Sequence, residues 1–349
     1  MTGRDPLTAG ALAEEGLLAT TDAVASVTEL LGLPGSRDPE RLLRVRLMRG
    51  FDFDVLPGRG FDIGAASFRG VPISWFSPVR DARALQTPRG TEWLERFTGG
   101  LLATCGLYNV GPETSSAGLH GDLGHRPAHD ISWRTVVDRE RSAVELRAAV
   151  DSVQLFGDSF RVDRRIVSSL GAHDVAELRI TDSVTNVGLG PAAVHALYHL
   201  NLGAPLVVPG TSVRVAADRW IRREEPSDPF EPSVLPEVSR SREESVFEHL
   251  GPHADAAGLG SVEVVNGDLG LHATVSWSLE TLPRLYQWVL PTQGRWALGI
   301  EPANAPLFGL DRSGPTDGAP VLEPGSSVRH EVTIRVAERS TAGTAIAEG

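Results

Sequence analysis

The chain has 349 residues, with 33 basic residues that are all arginine, 45 acidic ones and a net charge of −12. Without lysine there is no P-loop phosphate cradle and no Schiff-base or pyridoxal chemistry, since both need that amine. The acidic balance argues against a nucleic-acid partner and gives an anionic membrane surface no basic patch to attract.

The single cysteine, Cys105, allows neither an internal disulfide nor a multi-cysteine zinc site. Within GGLLATCGL it reads as core packing or as a lone nucleophile. The length allows several domains or one large all-β domain. In chain order, residues 7–32 are rich in alanine, leucine and glutamate and predict a helix, stopped by Leu31-Gly32-Leu33-Pro34-Gly35. Residues 1–39 are therefore expected to form an N-terminal helical extension. The N-terminus lacks a basic segment followed by a long apolar core, and no run reaches the ~18 apolar residues of a membrane span. The expectation is a soluble, cytoplasmic protein with no membrane partner.

From residue 41 the apolar period changes to two, in RLLRVRLMRG, FDFDVLPG and GVPISWFS. Arg59 and Asp62, in GRGFDIGAASF, are candidates either for a polar ligand or for pairing with each other across a turn. Residues 92–111 are apolar and glycine-rich, as in strands that bend or approach another backbone closely. Residues 118–130, GLHGDLGHRPAHD, form a turn-rich segment with three histidines. Strand patterns resume in SVQLFGDSFRVDRRIVSSLG, AELRITDSVTNVG and AAVHALYHLNLG. Residues 221–256, charged and proline-rich, read as a long loop. Strands return through SVEVVNGDLGLHATVSWSL, RLYQWVL, RWALGIEP and SSVRHEVTIRVAE, and residues 339–349 read as a disordered tail. No glycine fingerprint opens a helix after a strand, and no alternation of strands with long helices appears. Residues 40–338 are thus expected to form one all-β domain, a large antiparallel β-sandwich.

Three positions could carry acid–base chemistry. The apolar run Ala297–Ile300 ends in Glu301-Pro302, and proline lacks an amide donor, so the ladder is expected to stop directly after Glu301. A glutamate fixed there serves as a general base or as a salt-bridged structural residue. His120 lies between Gly118 and Gly121, and His199 is expected at a strand end in LYHLNLG. Each is a proton donor or acceptor near neutral pH, or a structural histidine. His120, His125 and His129 offer a competing metal-loop reading; Pro127 argues against a regular helix there, and no H-E-x-x-H accompanies them. Trp75, Trp93, Trp220, Trp277, Trp288 and Trp296 supply either sugar-stacking faces or core packing.

GRGFDI, FTGGLLATCGLYNVG, LHG followed by RPA, DRRI, DSVTNVG, YHLNLG and GIEPAN occur in that order over about residues 40–337. Together they resemble the galactose mutarotase-like superfamily, most closely its domain-of-unknown-function family 4432. The resemblance implies a β-supersandwich with one sugar site and no metal, nucleotide or redox cofactor. It implies aldose 1-epimerase chemistry, in which the ring of a free or modified sugar opens and recloses on its other face. Glu301 would be the general base, His199 the general acid, and His120 would hold the sugar near its ring oxygen. Asn201 and Asn304 fall in the matching segments, and Trp288 is the expected aromatic contact. The arginine-bearing GR-x-x-NR segment of mutarotases is missing, so Asn109, Arg59 or Asp62 would take over its sugar contacts. Asp122 replaces a usual glycine beside His120, where a carboxylate would favour the protonated ring. The alternatives are a non-catalytic carbohydrate-binding protein on the same fold, or another sugar epimerase or lyase, metal-assisted through the histidine loop.

Overall fold

The computed structural model describes residues 8–32, 41–79, 84–85, 87–138, 141–171, 175–241 and 243–338. The predicted tail, 339–349, lies outside them. Two antiparallel sheets dominate. The larger has eleven strands, in spatial order Ala25–Leu30, Leu42–Leu47, Phe51–Leu56, Asp62–Phe68, Leu102–Leu107, His195–Leu202, Ala297–Ala303, Arg284–Leu290, Ser245–Pro252 and Ala217–Arg222, with Val71–Pro72 beside Asp62–Phe68. The second has eight: Ser212–Val215, Leu259–Asn266, Leu271–Ser278, Ser327–Glu338, Ala176–Asn186, Ser159–Leu170, Ser142–Val153 and Ala128–Val137. The expected all-β sandwich is present, and among the described residues no helix is long and apolar enough to cross a membrane.

Strand alternation decides what each sheet face buries. In His195–Leu202 the even positions, Ala196, Tyr198, Leu200 and Leu202, enter the core between the sheets. The odd position Leu197 belongs to a second apolar cluster, with Trp75, Trp93, Phe97, Tyr286 and Trp288. The eleven-stranded sheet is therefore buried on both faces at its centre: one face meets the other sheet, and the opposite face carries an aromatic cluster. Every residue of His195–Leu202 and of Ala297–Ala303 is buried as a result.

A charged knot lies between the sheets. Arg164, fully buried, donates from Nε and Nη2 to Asp182 at 2.8 and 2.6 Å, and from Nη1 to Asp62 Oδ1 at 2.7 Å. It also donates to the Gly60 carbonyl at 3.0 Å and to Thr104 Oγ1 at 2.9 Å, so all five N–H groups are used. Tyr198 Oη donates to Asp182 at 2.7 Å. These residues come from both sheets, so the knot sets how one lies on the other.

Several sequence expectations are corrected. The helix over 7–32 shrinks to Ala9–Glu14, and Ala25–Leu30 is an edge strand paired with Leu42–Leu47. The inward alternation of Ala25 and Val27 is too short to stand out against the helix-favouring alanines upstream, and tertiary pairing overrides that propensity. The loop over 221–256 gives way to Ser245–Pro252, an interior strand next to the sheet's edge. Pro302 does not end its strand: Ala297–Ala303 runs through it, with Leu285 opposite Pro302 on one flank. On the other flank, pairing passes from Leu200↔Ile300 to Leu197↔Ala303 with no rung between, where the missing amide of Pro302 falls. His199 is likewise mid-strand.

Candidate active site

Register brings the two main candidates together. Leu200 opposite Ile300 and Leu197 opposite Ala303 put His199 directly across from Glu301, on the face away from the second sheet. Directly opposed side chains on antiparallel strands meet, and His199 Nε2 lies 3.2 Å from Glu301 Oε1. Gly299 makes this possible. It pairs with Asn201 on one side and Trp288 on the other. A Cβ there would stand 2.8 Å from Glu301 Oε1, 3.0 Å from Trp288 Cβ and 3.2 Å from His199 Cε1.

His120 arrives on a loop. Its φ is 57°, and Gly118 and Gly121 lie so close to neighbouring backbone that a Cβ would meet the Pro88 carbonyl at 2.5 Å and the Gly106 carbonyl at 2.3 Å. Asn109 holds the loop, its Nδ2 donating to the carbonyls of Gly111, Pro112 and Gly118 at 3.1, 2.8 and 2.8 Å. His120 Nδ1 is 2.6 Å from the Val110 carbonyl, so Nδ1 carries the proton and Nε2 is left as an acceptor. The two histidine rings are 6.2 Å apart.

His120, His199 and Glu301 line one cavity of about 370 Å³. Its walls include Trp75, Trp93, Phe97 and Trp288; Trp75 meets Trp288 edge-on at 5.5 Å, and Trp93 stacks on Phe97 at 4.3 Å. Polar groups at its margin are Ser77, Arg223, Glu244 and Arg295. Glu244 accepts from Trp288 Nε1 and from Arg223 Nη2, both at 2.9 Å.

Burial governs the proton affinities. It pushes the Glu301 carboxyl up to about 8; the Glu244 charge adds to this and Arg223 opposes it. It pushes His199 down to about 3, with His120 adding to the effect and the Asn201 side chain opposing it. His120 is held down at about 4, by burial first, against its bond to the Val110 carbonyl. His199 and Glu301 together hold one proton over a wide pH range, and moving it between them leaves the proton count unchanged. His199 Nδ1 and Asn201 Oδ1 are both buried without a hydrogen-bond partner among the described residues. With Nδ1 protonated toward the Asn201 amide, Nε2 is free to exchange a proton with Glu301.

Of the expected sugar contacts, Trp288 lines the cavity; the others are engaged elsewhere. Asp62 belongs to the Arg164 knot and does not pair with Arg59, whose Nη2 donates to the Arg96 carbonyl at 3.2 Å. Asn109 braces the His120 loop, and Arg312 Nη2 donates to its Oδ1 at 2.6 Å. Asn201 Nδ2 donates to the carbonyls of Gly100 and His199 at 3.0 and 3.1 Å. Asn304 bridges the backbone of Ala196 and Val194 at 2.7 and 2.9 Å. These short polar side chains sit where strands and loops need extra backbone partners. Asp122 is ion-paired with Arg126, and His120 is held below its ordinary value by burial rather than raised.

The histidine loop disperses. His125 Nδ1 accepts from the Leu85 amide at 3.1 Å, and His129 bonds Asp130 and Asp151 at 3.1 and 3.0 Å. Among the described residues no group of three or more histidine, cysteine, aspartate or glutamate side chains is placed to hold a metal. Trp75 and Trp93 join Trp288 at the cavity. Trp277 and Trp296 instead donate to the carbonyls of Leu282 and Val207, and Trp220 packs on Phe247. Sequence reasoning missed Arg223, Glu244, Arg295 and Phe97. Arg223 and Glu244 fell in the segment read as a loop, where charged residues carry no periodic signal.

The family profile of DUF4432, a domain of unknown function, matches residues 38–336. The chain belongs to the DUF4432 family. No curated protein matches the sequence. This DUF4432 chain shares its fold with a Klebsiella pneumoniae protein provisionally assigned as an aldose 1-epimerase: TM-score 0.77 at 20% identity, over 94% of this chain and 90% of that one. A galactose mutarotase-like protein from Clostridium acetobutylicum gives 0.59 at 15% identity, over 90% and 99%. A galactose 1-epimerase from Lactobacillus acidophilus gives 0.55 at 12%, over 90% and 99%. At these identities the likeness establishes the galactose mutarotase-like fold.

Proposed function

We propose that this DUF4432 protein is a carbohydrate isomerase of the aldose 1-epimerase type. The observation that carries the reading is the direct contact of His199 and Glu301, at 3.2 Å, beside His120 in an aromatic cavity. A hemiacetal bears its ring oxygen and its anomeric hydroxyl on the same carbon. An acid and a base that serve them must therefore stand side by side, as these two do. At rest burial keeps the pair's single proton on Glu301. Once it has passed across the 3.2 Å contact to His199, Glu301 takes the proton of the anomeric hydroxyl while His199 gives one to the ring oxygen. The bond from the anomeric carbon to the ring oxygen breaks and the hydroxyl oxygen becomes an aldehyde. Rotation about the adjacent carbon–carbon bond presents the other face, and the reverse transfers close the ring. His120 Nε2, an acceptor, takes a hydrogen bond from a sugar hydroxyl. Aromatic faces pack on the sugar's C–H surface.

The substrate on this reading is a small carbohydrate, and the steps need no electron acceptor. Exchange spectroscopy by NMR on equilibrated aldoses measures anomer interconversion directly. Wild-type protein is expected to accelerate it, and Glu301→Gln to slow it by about 10²–10⁴-fold, the usual worth of a positioned general base. An active wild type with an unaffected Glu301→Gln variant would overturn the assignment.

A further inference from the structure

One charged group at the cavity is left without a partner of its own. Glu244 is held by Arg223 and by the Trp288 indole, and Arg223 also lies 3.9 Å from Glu224. That pair is neutral overall. His120 and His199 are uncharged near neutral pH, and Glu301 shares its proton with His199. Arg295, in the turn between Arg284–Leu290 and Ala297–Ala303, also lines the cavity. Its guanidinium makes no hydrogen bond or ion pair with any described residue, and the residue is exposed while bordering the cavity's aromatic walls.

A second donor reaches the same space. Ser77 is buried and lines the cavity, and its Oγ accepts from the Val79 amide at 2.9 Å. Its hydroxyl proton has no acceptor among the described residues. Arg295 thus offers donors only, and Ser77 adds a hydroxyl proton that is free to be donated.

Resting on the epimerase reading for the location of the anomeric carbon, we propose that the preferred substrate is a sugar bearing an anionic group away from that carbon. A carboxylate or a phosphate sits on Arg295 and accepts from the Ser77 hydroxyl. Guanidinium is suited to both anions through paired N–H bonds.

The test compares galactose with galacturonate and with galactose 6-phosphate, and glucose with its two counterparts, by exchange spectroscopy and by calorimetric binding. The acidic sugars are expected to show kcat/KM about ten- to a hundredfold above their neutral partners, as for hydrogen bonds to a charged group. The carboxylate and phosphate arms identify which anion fits. Arg295→Leu is expected to remove the preference mainly through KM, and Arg295→Lys to retain part of it. Equal kcat/KM for acidic and neutral sugars, or an equal loss on both in Arg295→Leu, overturns the proposal while leaving the epimerase reading in place. Arg295-dependent binding of an acidic sugar without anomer exchange has the opposite meaning: it supports the anion site and removes the epimerase reading.

Discussion

Glu301→Gln should stabilise the folded protein increasingly as pH rises. Burial raises the Glu301 carboxyl from 4.5 to about 8, so the folded state keeps a proton that the unfolded chain releases. A group with a raised folded-state pKa gives its full stability below the unfolded value. That stability is lost as pH climbs toward the folded value. Between pH 5 and pH 8 the loss in the wild type comes to about 3 kcal/mol, at about 1.4 kcal/mol per unit. Glutamine does not titrate, so the variant escapes this loss. The constant effects of the substitution, including any altered contact with His199, cancel between the two pH values. Urea unfolding of both proteins at pH 5 and pH 8 measures it: the stability difference, variant minus wild type, should grow by about 3 kcal/mol. A pH-independent difference would mean that Glu301 ionises as an ordinary carboxylate despite its burial, and the shared-proton pair would have to be abandoned. The measurement needs no substrate and stands apart from the assignment of activity.

If catalysis uses the one-proton His199–Glu301 pair, kcat/KM should be flat across the mildly acidic and neutral range and fall above about pH 8, where the pair loses its proton. A rate that instead climbs through pH 8 would assign the acid to a group other than His199. Gly299→Ala should leave the fold intact, because the added methyl meets the flexible end of Glu301 first. That oxygen must retreat by roughly half an ångström, which should cost about tenfold or more in kcat; wild-type kcat in a folded variant would refute the packing argument. Asp182→Asn leaves the buried Arg164 short of its counter-charge and should cost about 3–5 kcal/mol in urea unfolding. A cost near zero would show that the knot between the sheets is not ionic.

Much of the fold was legible because alternation is local. Period-two segments such as AELRITDSVTN and SSVRHEVTIRVAE announce half-buried strands from a few residues, and they are strands in the structure. Segments with a mixed signal were misread. Alanines suggested a helix over Ala25–Leu30, and charges hid Ser245–Pro252. Proline after Glu301 suggested a strand end, because sequence shows the lost donor but not that the loss falls on one flank only.

What the sequence by itself determined is the residue types and their parity: His199 and Glu301 on buried strands, His120 in a glycine-bound turn, and no lysine anywhere. What only the tertiary structure decided is their meeting. Registry between strands about a hundred residues apart is set by the packing of two whole sheets, and one slip of register would turn every side chain to the other face. The same packing withdrew Asp62, Asn109 and Asn304 into structural bonds and delivered Arg223, Glu244 and Arg295 to the cavity. A polar side chain's partner is chosen by whichever backbone or charge lies nearest in space, and that neighbour is not written beside it in the chain.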